Sequence, residues 1–280
     1  MHKNNLHKNK YNLDALCTTY PLLKKYIFIN KHDIQTLDFS NPKAVKALNT
    51  ALLHQHYGIT YWNFPDENLC PPIPSRADYI HYISDLISTK KQPTILDIGT
   101  GATCIYPLLG NSIYNWQFIG TDIDRNSIKN ANHIIEKNHL QKVISLRLQA
   151  NKNHILKGVI QADDYFDISM CNPPFYKSPQ DAIQANTRKN SNLKLSAATR
   201  NFSGNANELW YKGGEKAFLH NYIYESSLFK EQFNWFSSLV SKKNLLKDLK
   251  RSLKKLGATN IRIIEMKQGN KLSRIIAWQF

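Results

Sequence analysis

Cysteine is scarce in this 280-residue sequence, which contains four cysteines and no Cys-x-x-Cys pair. Thiols spaced this widely argue against a zinc site and against a disulfide framework, so reduced thiols are expected. The ten histidines show no ligand spacing either. We therefore expect no bound metal and a protein of the cytosol.

Long hydrophobic runs are also lacking. No apolar stretch approaches the roughly 20 residues that a membrane span needs. The first ten residues are polar and basic with no apolar segment behind them, which is not the pattern of a secretory signal. The sequence therefore predicts a cytoplasmic protein that makes no use of a membrane.

Acidic residues are few beside basic ones. Lysine and arginine total 37 against 21 aspartates and glutamates, which gives a formal net charge of +16. Because neutralising phosphates releases counterions and steers encounter, a nucleic acid is the partner that best explains this balance. The alternatives are a charge that serves solubility and a genome that favours lysine and asparagine.

Residues 1–91 are predicted to form a basic arm and a helical extension. Asn41-Pro42 is a favourable helix start, with proline at the first helical position, and Ser75 is a plausible N-cap for a second helix. Between them, residues 70–74 contain three prolines and are expected to be extended.

Strands and helices alternate from residue 94 onward, so residues 92–280 are predicted to form one domain. Strands are predicted at 94–98, 116–121, 143–148, 167–171, 234–240, 260–266 and 273–280, and helices at 126–138, 215–229 and 244–256. This order predicts an α/β fold with a doubly wound, mostly parallel seven-stranded sheet. The last two strands should form a C-terminal antiparallel hairpin that gives the sheet one antiparallel edge.

The first chemical motif is a glycine-rich turn after the strand that ends in Asp97-Ile98. Gly99, Thr100 and Gly101 follow, and the two glycines let the backbone bend tightly and approach a ligand. Asp97 can accept a hydrogen bond from an ammonium or hydroxyl group. Cys104 stands where a dinucleotide-binding turn has its third glycine, which weakens an NAD interpretation.

A second acidic motif ends the next predicted strand. Asp122 is positioned to bind both hydroxyls of an adenosine ribose. Asp124 is the better candidate for the N-cap of the following helix. Together with the glycine turn before it, this motif predicts a site for an adenosine-containing ligand, with Asp122 binding the ribose.

The third motif, Asn172-Pro173-Pro174-Phe175, follows an apolar strand and resembles the signature of enzymes that methylate a planar nitrogen. The lone pair of such a nitrogen is delocalised, so acceptors for its N–H groups help to align and activate it. The Asn172 side-chain oxygen and the Pro173 carbonyl can be these acceptors, and Phe175 can stack on a flipped base. A simple turn at a strand end is the alternative explanation.

These motifs extend over nearly the whole chain, which resembles the bacterial 23S ribosomal RNA adenine-N6 methyltransferases, a family with eukaryotic RNA-methylating relatives. Besides the three motifs, the resemblance rests on segments 37–49, 69–72, 208–210, 235–241 and 273–278. The elements most specific to this family are Pro74-Ser75-Arg76-Ala77-Asp78-Tyr79-Ile80-His81 and Gly213-Gly214-Glu215.

The resemblance implies a Rossmann-like class I methyltransferase fold with S-adenosyl-L-methionine as donor and S-adenosyl-L-homocysteine as product. It implies methylation of one adenine in 23S ribosomal RNA, nucleotide 1618, in free RNA or in a large-subunit precursor. It also implies that Arg76 binds the carboxylate of the cofactor. A polar side chain, Gln149 or Asn151, is implied to lie near the cofactor adenine. Nothing in the sequence calls for more than a monomer.

A polar segment, 177–207, follows the third motif directly and is predicted to be a substrate loop. Its basic residues are candidates for RNA phosphate contacts: Lys177, Arg188, Lys189, Lys194 and Arg200. Gly213, Gly214 and Glu215 are expected to shape the substrate side of the pocket. The N-terminal arm, with Lys3, Lys8 and Lys10, is a weaker candidate for RNA contact.

Other functions use some of the same residues. A different RNA, a DNA adenine or a protein glutamine amide would fit the same pocket, although the positive charge argues against a protein target. A binding-only RNA assembly factor would not need Asn172 to Phe175. An NAD-dependent oxidoreductase lacks a candidate catalytic residue here.

Overall fold

The alternating pattern folds into a seven-stranded sheet in the computed structural model, which describes residues 1–87, 92–181, 209–268 and 271–280. Two short strands precede the large sheet. The strands are β1 Ile27–Ile29, β2 Gln35–Leu37, β3 Thr94–Ile98, β4 Gln117–Asp122, β5 Ile144–Leu148, β6 Phe166–Cys171, β7 Phe233–Val240, β8 Asn260–Gln268 and β9 Lys271–Gln279. The α-helices are α1 Leu13–Thr19, α2 Pro42–Tyr57, α3 Ile73–Ser84, α4 Ile105–Tyr114, α5 Arg125–Lys137, α6 Gly214–Leu228 and α7 Leu245–Lys255.

The large sheet has the strand order β5-β4-β3-β6-β7-β9-β8. The first five strands of that order are parallel, and β9 pairs antiparallel with both β7 and β8. The predicted α/β class, seven strands and C-terminal hairpin are thus confirmed. The expected antiparallel edge is confirmed as well: β9 inserts beside β7 and leaves β8 as the edge strand.

Both faces of the sheet are covered, as parallel strands require. All six residues of β6 are buried, and its two polar side chains are hydrogen-bonded: Asp167 accepts from Thr94 N, and Ser169 Oγ lies 2.6 Å from the Tyr222 hydroxyl. One core packs helices α1 to α5 against the sheet, and a second core packs α6 and α7 against the opposite face. The helical extension therefore shares its core with the sheet. No helix among the described residues is long and apolar enough to cross a membrane.

Of the two helices predicted in the extension, α2 begins where the sequence predicts and α3 does not. Asn41 caps α2, and its side chain accepts hydrogen bonds from the N–H groups of residues 43 and 44. The expectation that α3 begins after Ser75 was wrong. It begins at Ile73 with Pro72 as N-cap, because the first helical positions need no intrahelical N–H and tolerate Pro74. The β1–β2 hairpin was not predicted.

The N-terminal arm is bound to α3. The backbone N–H of His2 donates to Asp78 Oδ1 at 2.7 Å, and Asn5 Nδ2 donates to the same oxygen at 2.8 Å. His2 and Asn5 are buried. The lysines proposed for RNA contact, at positions 3, 8 and 10, are exposed.

Candidate active site

A deep cavity opens at the carboxyl ends of β3, β4 and β6, where open α/β sheets bind ligands. It encloses about 1180 Å³ of empty space, including the part open to solvent. The three sequence motifs meet there. Lining residues include Arg76, Gly99, Thr100, Gly101, Tyr106, Asp122, Gln149, His154, Ile155, Asn172, Pro173, Pro174, Phe175 and Trp210.

The glycine turn between β3 and α4 forms one wall of the cavity. Gly99 and Gly101 have φ angles of 74° and 66°, and a Cβ atom on either would meet no atom within 4 Å. The space in front of these glycines is therefore open to a ligand. The N–H groups of Gly99 and Thr100 both donate to Thr121 O at 2.9 Å, which holds the turn against β4.

Asp97 lies in β3 directly before Ile98 and Gly99, which line the cavity. It is fully buried, and neither carboxylate oxygen has a hydrogen-bond partner among the described residues. Burial raises the pKa of Asp97 to about 7; the nearby Thr100 hydroxyl opposes this shift, the charge of Asp122 adds to it, and Arg76 opposes it. Because an unpaired buried carboxylate is costly, a ligand that carries N–H or O–H donors would satisfy it.

Arg76 reaches the cavity from α3. Its guanidinium carbon lies 5.5 Å from the ring centre of Tyr106 on α4, within the range of a cation–π contact. Burial raises the pKa of the Tyr106 hydroxyl to about 12, opposed by the charge of Arg76. The sequence analysis missed Tyr106, because nothing in the sequence shows that α3 and α4 meet at this point.

Asp122 ends β4 on the opposite side of the turn. Its carboxylate accepts hydrogen bonds from Gly101 N and Asp124 N, both at 2.9 Å. A carboxylate has about four acceptor positions, so two remain for a ligand. Burial raises the pKa of Asp122, and these backbone N–H groups oppose the shift. Asp124 caps α5, as predicted.

Asn172 follows β6 directly, and its side-chain amide has no hydrogen-bond partner among the described residues. The next residues turn along the cavity, with Pro173 buried and Phe175 37% exposed. The N–H groups of Phe175 and Tyr176 both donate to Leu209 O, at 3.0 and 2.9 Å. Residues 175–176 and 209 are therefore joined at the cavity mouth, so the long polar segment leaves and returns at one point.

A buried tyrosine supports the strand end that presents Asn172. The Tyr79 hydroxyl, from α3, lies 2.9 Å from Ser237 Oγ and accepts a hydrogen bond from Cys171 N at 3.3 Å. Burial holds the pKa of Tyr79 well above its usual value. Tyr79 belongs to a block that the sequence analysis quoted, but its role depends on a contact with distant strands.

The loop after β5 forms another wall. Gln149 lines the cavity and accepts a hydrogen bond from Asn151 N at 2.9 Å, whereas Asn151 is exposed and does not line it. Glu225 on α6 holds this loop from behind. One of its oxygens accepts from the N–H groups of residues 155, 156 and 157 at 3.0, 2.6 and 2.9 Å. The other oxygen lies 3.2 Å from His154 Nδ1.

The Gly213-Gly214-Glu215 block starts α6 one layer behind the cavity wall. Gly213 and Gly214 have φ angles of 88° and 71°. The N–H of Gly214 donates to Tyr211 O at 2.6 Å. The buried carboxylate of Glu215 accepts from the backbone N–H of Ser241 at 2.6 Å and from its hydroxyl. The block therefore joins the start of α6 to the end of β7.

The comparisons with known proteins agree with this geometry. The sequence profile of the RNA methyltransferase family (Methyltransf_10) matches residues 1–280. The chain belongs to this family. Ribosomal RNA large subunit methyltransferase F of Flavobacterium johnsoniae is 48% identical to this methyltransferase over 294 residues, which cover 100% of this chain and 93% of that protein. The protein of the same name from Bacteroides thetaiotaomicron is 47% identical over 299 residues, covering 100% and 97%.

Solved structures give the same result for the fold. The hMettl16 catalytic domain in complex with MAT2A 3′UTR hairpin 1 matches with a TM-score of 0.87 and 32% identity, covering 100% of this chain and 95% of that one. The N-terminal domain of human METTL16 in complex with SAH matches with a TM-score of 0.80 and 30% identity, covering 100% and 98%. The family resemblance and the Rossmann-like methyltransferase fold are confirmed.

The residues predicted to contact RNA in this methyltransferase are only partly described. Lys177 is exposed beside the cavity mouth, and its Cγ lies 3.0 Å from where a Cβ on Gly214 would stand. Arg188, Lys189, Lys194 and Arg200 lie outside the described residues. The part of the chain that the structure describes has no group of three or more potential metal-ligating side chains.

Proposed function

We propose that this methyltransferase transfers a methyl group from S-adenosyl-L-methionine to N6 of one adenine in 23S ribosomal RNA, nucleotide 1618 by family resemblance. The observation that carries the proposal is the position of Asn172-Pro173-Pro174-Phe175. This motif lines the same cavity as the glycine turn, and the two follow neighbouring parallel strands. The names of the bacterial relatives support ribosomal RNA as the substrate, and a ribosome-modifying enzyme would work in the cytoplasm.

The cofactor part of the proposal rests on polar side chains in and next to the cavity that can still bind a ligand. Asp97 has two buried oxygens without partners, which suit the cofactor ammonium. Arg76 would bind the carboxylate of the methionine part bidentately, and Asp122 would use its two remaining acceptor positions for the ribose hydroxyls. Gln149 is better placed than Asn151 to meet the cofactor adenine. When bound, S-adenosyl-L-methionine supplies the electrophilic methyl group and leaves as S-adenosyl-L-homocysteine.

The target adenine would bind beside Asn172. Its exocyclic N–H groups would donate to the Asn172 side-chain oxygen and to the Pro173 carbonyl. These bonds hold the nitrogen in line for attack and draw electron density toward it as positive charge develops. Phe175, partly exposed at the cavity mouth, offers a face on which the flipped base can stack. No strong general base is needed, because the N–H bond becomes acidic once the nitrogen carries the methyl group.

The +16 charge and the polar segment 177–207 support a large RNA as the substrate. The described residues on either side of this segment, Phe175 and Leu209, lie together at the cavity mouth. We propose that Lys177 and the basic residues that follow contact RNA phosphates.

The deciding experiment is transfer of a labelled methyl group to 23S RNA, both protein-free and in ribosomal particles, from cells that lack this activity. Duplex DNA is tested in parallel, and the product nucleoside is identified. N6-methyladenosine at one RNA site, lost in Asn172→Ala and kept in the exposed control Asn132→Ala, is the expected result. Cofactor binding without transfer to any RNA would refute the RNA assignment and direct the search to DNA or a protein amide.

A further inference from the structure

Helix α7 has an unusual solvent face. Its apolar side consists of Leu245, Leu249 and Leu253, which are buried at a spacing of four residues. Every exposed position of the helix is basic: Lys247, Lys250, Arg251, Lys254 and Lys255. We call these five residues the α7 basic face. By contrast, the exposed positions of α5 mix Asn, His, Glu, Lys and Arg.

The positive charges of this face repel one another and destabilise α7. Each of the five residues has a like-charged neighbour three or four positions away, and such pairs destabilise a helix. The one acidic residue of α7, Asp248, lies 3.0 Å from Lys216 Nζ and 3.8 Å from Arg251. The structure gives Lys247, Lys250 and Lys254 no ion-pair partner among the described residues. A polyanion would relieve this repulsion.

The position of α7 connects this face with the active site. Strands β6 and β7 are parallel neighbours, so their carboxyl ends lie at the same edge of the sheet. Asn172 follows β6 there, and Lys242 and Lys243, both exposed, follow β7 and lead into α7. The hydrogen bond from Ser241 N to Glu215 fixes this turn to the start of α6. Positive charge thus extends from the edge of the active site along the whole of α7.

We propose that the α7 basic face binds the sugar-phosphate backbone of the RNA beside the target adenine. The inference rests on the proposed function for its substrate, and it adds a docking surface outside the cavity. Charge complementarity favours RNA, because regularly spaced lysines and arginines match a chain of phosphates without reading its sequence. None of the five residues of the α7 basic face lines the cofactor cavity.

The test is RNA binding by the triple variant Lys247→Gln, Lys250→Gln, Lys254→Gln. The control Lys129→Gln, Lys137→Gln, Lys142→Gln removes the same charge from exposed positions on and after α5. Affinity for fluorescently labelled 23S RNA is measured by anisotropy from 0.05 to 0.3 M salt, with no methylation required. Three lost phosphate contacts should raise Kd roughly tenfold or more near 0.15 M salt and make the salt slope shallower by about 2.

The expected result is a weaker, less salt-dependent complex for the α7 variant alone, with unchanged S-adenosyl-L-homocysteine affinity and an equal or higher Tm. Equal RNA affinities of the two triple variants would overturn the proposal. Wild-type RNA affinity of the α7 variant would also overturn it, and a protein partner would then be the explanation for the α7 basic face. Because binding is measured without turnover, failure of methyl transfer would refute the proposed function separately.

Discussion

Glu225 should control the cofactor wall of the cavity although it does not line the cavity. Its side chain is 2% exposed, and one oxygen accepts the N–H groups of Ile155, Leu156 and Lys157. Glu225→Ala would leave these three donors without their acceptor. A buried donor without a partner costs about 1–3 kcal/mol.

The loss for Glu225→Ala is therefore about 3 kcal/mol or more in the free energy of unfolding, unless the loop opens locally at a lower cost. Glu225→Gln keeps one oxygen for the three N–H groups but loses the charge and replaces the oxygen beside His154 by an NH2 group, so a smaller loss of about 1 kcal/mol is expected. His154 and Ile155 line the cavity. Whether Glu225→Ala destabilises the whole protein or opens only this loop, cofactor binding should therefore weaken as well. We expect roughly a tenfold loss of affinity for the alanine variant, equivalent to about 1.4 kcal/mol.

Urea denaturation, calorimetric titration with S-adenosyl-L-homocysteine and hydrogen exchange at residues 155–157 would measure these effects. Glu136→Ala removes an exposed carboxylate on α5 and serves as the control. If Glu225→Ala keeps wild-type protection at these amides and wild-type cofactor affinity, Glu225 does not position this wall and the argument is wrong.

Three further predictions concern the cavity and its support. With a pKa of about 7, Asp97 holds its proton more tightly in the folded than in the unfolded protein. The unfolding free energy of the cofactor-free protein should thus fall by up to about 4 kcal/mol between pH 4 and 7 and then level off. Denaturation measured across this pH range should show no such fall in the unfolding free energy of Asp97→Asn. A fall as large as that of the wild-type protein would contradict the prediction. Gly214→Val should reduce turnover and leave cofactor affinity nearly intact, because the added Cβ would stand 3.0 Å from Lys177 Cγ at a positive φ; equal loss of both in steady-state kinetics and calorimetry would count against it. Tyr79→Phe should lower the unfolding free energy by about 1–2 kcal/mol through its bond to Ser237, and unchanged urea denaturation would show that this bond contributes nothing.

Local patterns predicted the elements that carry chemistry. The glycine turn after β3, Asp122 at the end of β4 and Asn172 at the end of β6 each follow an apolar strand. Because parallel strands present their carboxyl ends at one edge, the sequence also predicted that these residues meet. The N-cap of α2 at Asn41 and of α5 at Asp124 followed from side-chain chemistry alone.

The start of α3 and the position of the antiparallel strand could not be predicted in this way. Proline is accepted in the first turn of a helix as well as in an extended segment, so Pro74 alone does not decide between them. A C-terminal hairpin can join a sheet by either of its strands, and local periodicity is the same for both. Core packing chose β9 as the neighbour of β7, with Trp278 buried in the core under α6 and α7.

The sequence by itself determined the fold class, the order of the motifs and the chemistry of the groups at the strand ends, because short-range spacing and residue type carry that information. Only the tertiary structure decided which distant side chains support the site. Tyr106 beside Arg76, Tyr79 behind Cys171 and Glu225 behind the loop after β5 belong to separate helices. Their roles arise from long-range packing that brings a buried polar group to its partner, and no local pattern encodes it.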